Sequence, residues 1–227
     1  MNRHSLNRFA DDTLFCRIAR TVCEAECLPR KELYESWEFA RRVRRRLRGG
    51  RIVDLAAGHG LVALILLVLD DSSENALAVD VRIPPSAHRL REVFERDWPR
   101  LRNRIIFHQA SIDEIEVAAT DLVVSAHACG TLTDRVLDLA MAVRANVAVL
   151  PCCQAEGKCD SGGLLGWMDS ALAVDVTRAH RLRSDGYDVV TQTIPAAITP
   201  KNRLLIGIHR ASVRSADSAP TGLEHQT

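Results

Sequence analysis

The stretch Asp54-Leu55-Ala56-Ala57-Gly58-His59-Gly60, followed by the apolar run Leu61–Leu69 and then Ala78-Val79-Asp80, decides the fold. It reads as a strand, a tight glycine turn, a helix N-terminus, and a second strand closed by a carboxylate. That order suits a nucleoside cofactor: small residues let a ligand approach the backbone, and the terminal acid can hold ribose hydroxyls. Gly58-His59-Gly60-Leu61-Val62-Ala63 also fits the dinucleotide pattern G-x-G-x-x-[GA], so the turn alone leaves a nicotinamide cofactor open. Asp54 favours S-adenosylmethionine (SAM). A carboxylate at the end of an apolar strand is costly without partners; beneath a SAM-binding turn it has one in the methionine amino group. Ala56 stands where the first glycine of such a loop is usual, and a methyl group there narrows the backbone's choices. The helix that opens near His59 offers its first N–H groups to a carboxylate.

Outward from this loop the chain alternates. Strands are expected at Arg51–Leu55, Ala76–Val81, Arg104–His108, Leu122–Ala126, Val147–Leu150, Tyr187–Thr193 and Arg203–His209, with helices at Leu61–Leu69, Pro85–Trp98, Leu132–Ala142 and Leu164–Ser184. Such alternation predicts an α/β fold with a largely parallel sheet covered on both faces. The last two strands are joined by a connection too short for a crossover helix, so they should pair antiparallel. Two further helices are expected ahead of the cofactor strand. One lies within Ala10–Leu28, with Leu14, Ile18 and Val22 in register; the other runs from Lys31 to Leu47, stopped by Gly49-Gly50. The expected organisation is an N-terminal helical cap over residues 1–48, a cofactor-binding domain over 49–210 and a disordered tail over 211–227.

With 227 residues, 47% of them hydrophobic, the chain can bury a core. Its formal net charge of +1 gives no global electrostatic case for nucleic acid. Locally, Arg41, Arg42, Arg44, Arg45, Arg46, Arg48 and Arg51 form a basic band that could track phosphates, with a solvated helix face as the bland alternative. The polar start, Met1-Asn2-Arg3-His4, does not read as a secretory leader. The seven cysteines are therefore expected as reduced thiols in a cytoplasmic protein. Leu61–Leu69 is too short to span a bilayer, and no membrane role is expected. The chain carries no signal for oligomeric state.

A second cluster closes the fourth and fifth strands: Asp121-Leu-Val-Val-Ser-Ala-His-Ala-Cys-Gly-Thr-Leu-Thr-Asp134, and Leu150-Pro151-Cys152-Cys153-Gln154. Carboxyl ends of strands are where ligands bind in such sheets. Ser125, His127 and Cys129 should therefore border the reacting group, with Ser111 and Ile112, after the third strand, beside a base. His127 suits a general base near neutral pH. Two further readings stay open: Cys152 or Cys129 attacking a pyrimidine ring, or Cys129, Cys152, Cys153 and Cys159 holding zinc. The second lacks a C-x-x-C spacing and no metal is expected. Simple packing is the expectation for Cys153 and Cys159. The loop Gln154–Gly163 reads as a polar lid.

Over roughly residues 10–210 the chain resembles class I SAM-dependent methyltransferases that carry His-x-Cys-Gly-x-Leu-Thr-Asp after the fourth strand and Pro-Cys-Cys after the fifth. This subgroup is related to methyltransferase-like proteins and to the eukaryotic tRNA acceptor-stem ribose methyltransferase. The matching residues are His127, Cys129, Gly130, Leu132, Thr133 and Asp134, then Pro151, Cys152 and Cys153. Arg30–Glu38 and Ile198–Arg203 are similar to family segments as well. The resemblance implies a Rossmann-like seven-stranded methyltransferase sheet, SAM bound by Asp54, Ala56, Gly58, Gly60 and Asp80, and His127, Cys129 and Cys152 around the chemistry. It favours RNA over protein as acceptor, although the zinc-binding extension of the tRNA enzyme is not evident here. The expected activity is methyl transfer; the competing classes are a SAM-binding module without turnover and a nicotinamide-dependent oxidoreductase.

Overall fold

A computed structural model of the chain describes residues 1–152 and 157–210. Cys153, the start of the Gln154–Gly163 loop and the tail over 211–227 lie outside the described residues.

Seven strands form one sheet: β1 (Ile52–Leu55), β2 (Ala76–Asp80), β3 (Ile105–Gln109), β4 (Leu122–Ser125), β5 (Asn146–Val149), β6 (Tyr187–Thr193) and β7 (Arg203–His209), in the order β3-β2-β1-β4-β5-β7-β6. The first five run parallel, and β7 lies antiparallel to both β5 and β6. This is the expected mixed sheet. The last hairpin does not simply extend it, however: β7 slots between β5 and β6, leaving β6 at the edge.

Alternation along each strand divides the core into two. Ile52, Leu122, Val124, Leu204 and Ile206 face one helical layer; Val53, Leu55, Val123, Val147, Val149 and Leu205 face the other. The first layer contains α1 (Leu14–Ala25), α2 (Arg30–Arg44), α3 (Leu61–Leu69) and α4 (Pro85–Asp97). The second contains α5 (Thr131–Val143) and α6 (Ser170–Ser184). Eight of the nine α3 residues are buried, from Leu61 to Val68. A helix apolar all round needs neighbours all round, and α2 covers the side of α3 that the sheet does not. Each leucine so enclosed contributes about 2 kcal/mol. The two N-terminal helices thus share one continuous core with α3 and the sheet.

Boundaries differ from expectation where local capping overrides periodicity. Thr13 caps α1 by accepting the Cys16 N–H at 3.2 Å. Helix α2 stops at Arg44, ahead of Gly49-Gly50. Gly50 serves the turn into β1 instead: its φ is +69°, and a Cβ there would lie 2.2 Å from the Thr120 carbonyl oxygen. Helix α6 starts at Ser170 rather than Leu164, because Asp169 accepts the Leu172 N–H at 3.1 Å and so marks the first turn. Among the described residues no helix is long and apolar enough to cross a membrane.

Strands β2 and β3 lie on one side of β1, and β4 and β5 on the other. Their crossovers therefore diverge, and a crevice opens at the carboxyl ends of β1 and β4.

Candidate cofactor and methyl-transfer site

The turn after β1 is held from below and open above. Ala57 N–H donates to the Val79 carbonyl at 2.9 Å, and Gly60 N–H to the Ala57 carbonyl at 2.8 Å. Gly58 N–H donates to Asp80 Oδ2 at 2.9 Å, while Asp80 Oδ1 accepts the Arg82 N–H at 3.0 Å. Gly58 and Gly60 have φ of +53° and +69°. A Cβ on Gly60 would press on the Phe107 ring at 2.7 Å, whereas a Cβ on Gly58 would meet nothing within 4 Å. The space above Gly58 is thus a cradle that one methyl group would enter. Gly60 precedes α3 and has no side chain to cap it; Asp54 takes the Ala63 N–H, and the N–H end ahead of it suits an anionic group. The set fits a nucleoside carrying a carboxylate.

Ala56 adopts φ +56°, a left-handed conformation that costs an L-residue about 1–2 kcal/mol. Ala56→Gly should therefore stabilise the fold by about 0.5–1 kcal/mol, once glycine's extra freedom in the unfolded chain is subtracted. Denaturant unfolding of the two proteins measures this directly.

Asp54 lies under the turn, 1% exposed, and accepts the Ala63 N–H through Oδ2 at 3.2 Å. It supports the turn through that bond. Burial pushes its carboxyl up to about 7, with the Ala63 N–H opposing and Asp80 adding to the rise. The folded chain then keeps a proton that the unfolded chain releases near 3.8. Between those two values the folded state binds more protons, so stability falls as pH rises through the window and levels off above about 7. Without cofactor, unfolding free energy should drop from pH 4 to pH 8 by up to roughly 4 kcal/mol through this group. Asp54→Asn should remove that part of the pH dependence in urea titrations at the two pH values.

After β4 the chain forms the loop Ala126–Gly130, which leads into α5. His127 is half-buried and Cys129 exposed. Burial holds His127 below the usual imidazole range; Glu35 and Asp80 pull it up and Lys31 pushes it down. Cys152 Sγ lies 3.9 Å from the His127 carbonyl, tying the end of β5 to this loop. Three expected ligand residues have local work. Ser125 Oγ accepts the Ala128 N–H at 3.2 Å and the residue is buried. Ser111 forms a capping box with Glu114, and Ile112 packs in the second core. They brace the carboxyl edge, and Ala110 joins it to β2 through a 3.1 Å bond to the Asp80 carbonyl.

The start of α2 is the part of the site that sequence reading missed. Lys31 pairs with Glu35 at 3.2 Å, and both act on His127. Glu32 is pushed up to about 6 by burial and by Glu35. Arg30, Lys31 and Tyr34, with Ala197 and Ile198, line a cavity of about 490 Å³. A signal existed, since Arg30–Glu38 matched family segments, but helical periodicity gave the segment only a packing role.

Within the arginine band four side chains pair with carboxylates and one is buried, while Arg45 and Arg46 are exposed. Arg41 and Arg42 bond Glu38. Arg44 is buried against the Leu66 carbonyl and Ser73. Arg48 pairs with Asp70 at 2.8 Å and Arg51 with Asp121 at 2.6 Å. Cys159 Sγ lies 3.8 Å from Arg178 Nη2. Among the described residues no cluster of three or more His, Cys, Asp or Glu is arranged to hold a metal ion.

A seven-stranded mixed sheet with an open glycine turn at its switch point defines the class of Rossmann-like methyltransferases. The chain belongs to a methyltransferase-domain family, whose model matches residues 30–159. That membership decides against the nicotinamide enzyme, and with the fold it implies use of SAM. Glutathione S-transferase C-terminal domain-containing protein homologs from Drosophila pseudoobscura pseudoobscura and Drosophila melanogaster are 25% and 26% identical over 199 residues. The match covers 70% of this chain and 33% of each relative, so the chain spans about a third of their length. In fold it is similar to a Corynebacterium glutamicum protein (TM-score 0.54, 15% identity, 99% of this chain and 97% of that one). It is also similar to the B. subtilis tRNA methyltransferase TrmK (TM-score 0.50, 15% identity, 81% and 70%). A third similar fold is the SAM-dependent methyltransferase SibL (TM-score 0.50, 17% identity, 90% and 64%).

Proposed function

We propose that the chain transfers the methyl group of SAM to an RNA acceptor at the carboxyl edge of β1, β2 and β4. The observation that carries this reading is the open cradle over Gly58, bonded to Asp80, with His127 close enough to Asp80 to feel its charge. Asp80 would hold ribose hydroxyls, Gly58 and Gly60 would admit the ligand to the backbone, and the start of α3 would take its carboxylate. Ala56 shapes that turn and Asp54 supports it. Bound SAM supplies an already activated methyl group, so the protein's task is alignment and removal of a proton. His127, kept neutral by burial, is suited to accept that proton from a hydroxyl or nitrogen. Cys129 borders it as an exposed thiol, and Cys152 links its loop to β5.

The support for RNA comes from the rim next to His127, where Arg30, Lys31 and Tyr34 combine positive charge with an aromatic ring. The band from Arg41 to Arg51, with Arg45 and Arg46 exposed, offers further positive charge for phosphates. TrmK, a similar fold, acts on tRNA. The test is transfer of radiolabelled methyl from SAM to total RNA and, separately, total protein. Label is expected in RNA, falling steeply as salt rises. Label in protein alone would overturn the acceptor, and label in neither would leave a SAM-binding module without turnover.

A further inference from the structure

Arg178 sits in α6 with its side chain 1% exposed. Its Nε and Nη2 each donate to Asp134 at 2.8 Å, its Nη1 reaches Asp175 at 3.2 Å, and Nη2 also donates to the Gly130 carbonyl at 2.8 Å. Asp175 in turn accepts Arg203 Nε of β7 at 2.7 Å. One guanidinium therefore ties α6, the start of α5, β7 and the loop after β4 together.

That loop needs such support. Gly130 has φ 58° and ψ −128°, a region open in practice to glycine alone, and no side chain caps α5 there. Each carbonyl from His127 to Gly130 is held. Cys152 Sγ approaches the first, and Thr133 Oγ1 donates to Ala128 at 2.7 Å. Leu132 N–H donates to Cys129 at 3.1 Å, and Thr133 N–H to Gly130 at 3.2 Å. Arg178 adds a planar, charged fork to the last of these. A buried guanidinium carries a large desolvation cost that an apolar residue would avoid; what it supplies is fixed geometry.

We infer that Arg178 is a positioning residue for methyl transfer: it locks the Ala126–Gly130 loop so that His127 faces the acceptor. The inference rests on the reading of His127 as proton acceptor given above. It also explains a role for Asp134, which belongs to the motif after the fourth strand but does not reach the cofactor turn.

The test uses full-length Arg178→Met and Arg178→Lys, with three readouts: the His127 ring titration by NMR, SAM affinity by calorimetry, and kcat for methyl transfer. The charges facing His127, namely Glu35 and Lys31 of α2 and Asp80 of β2, are untouched by either variant. In Arg178→Met, loosening of the loop should move the His127 midpoint up towards the ordinary value of about 6.5. SAM affinity should stay within about twofold, and kcat should fall at least about tenfold, as misplacement of a reacting group predicts. Arg178→Lys should recover only part of kcat, because an ammonium cannot fork to Asp134 and Gly130 together. If Arg178→Met does not fold, Asp134→Asn keeps the shape and should shift both readouts in the same direction. A folded variant with unchanged His127 titration and unchanged kcat overturns the inference. So does a loss of SAM binding parallel to the loss of kcat. A wild-type protein that transfers no methyl group overturns the proposed function instead, while the His127 titration still decides whether Arg178 locks the Ala126–Gly130 loop.

Discussion

Asp80→Ala should weaken SAM binding by about 1–3 kcal/mol, one to two orders of magnitude in Kd. Two losses combine in that figure. The carboxylate no longer meets the ribose hydroxyls, and Gly58 N–H loses the acceptor that now holds it at 2.9 Å. Asp80 is half-exposed at the end of β2, so the fold should survive and melting should change little. Asp80→Asn keeps the shape but loses the charge and one acceptor, and should fall between the two. Calorimetric titration reads all three proteins, and unchanged affinity in Asp80→Ala would place the cofactor elsewhere.

Gly60→Ala and Gly58→Ala should fail in opposite ways, although both glycines have positive φ. At Gly60 the new Cβ meets the left-handed penalty and the Phe107 ring at 2.7 Å, beside Ala78 Cβ at 3.4 Å. The left-handed strain of about 1–2 kcal/mol adds to about 1–3 kcal/mol of overpacking. The expected loss of roughly 2–5 kcal/mol would lower Tm by roughly 4–20 °C in a chain of this size. At Gly58 the Cβ meets no protein atom, so only the backbone strain of about 1–2 kcal/mol remains. That methyl group occupies the cradle, and binding should suffer more than stability. Thermal melts and SAM titrations of the two variants separate the packed underside of the turn from its open top. Equal loss of binding and stability in both would contradict that division.

The strands were legible because short apolar runs, buried throughout in β1 and β4, alternate with helical segments along the chain. The start of α2, the insertion of β7 and the role of Arg178 were not legible, for one common reason. Each depends on a partner far along the chain. The Pro/Ala/Thr-rich connection between Thr193 and Arg203 specifies an antiparallel pair, yet nothing local says which member docks on β5. The pairing of Arg48 with Asp70 and of Arg51 with Asp121 was not legible for the same reason. Ser111 and Ser125 illustrate a different limit. A serine at the carboxyl edge of a sheet can serve the nearest backbone N–H and a ligand together; here both accept a backbone N–H, which leaves each hydroxyl proton to donate. Asp54, Gly58, Gly60 and Asp80 were readable together because the turn that unites them is contiguous with the two strands that carry it.

The central claim is that SAM binds over the turn between β1 and α3, against Asp80. Backbone amide NMR during a SAM titration tests it most directly. The account predicts saturable shifts concentrated at Gly58, Gly60, Leu61, Asp80 and Arg82, smaller ones at His127, and none along the groove that Leu172, Val176 and Ala179 of α6 line with Leu204 and Leu205 of β7. Shifts confined to that groove, or no saturable shifts at all, would contradict it.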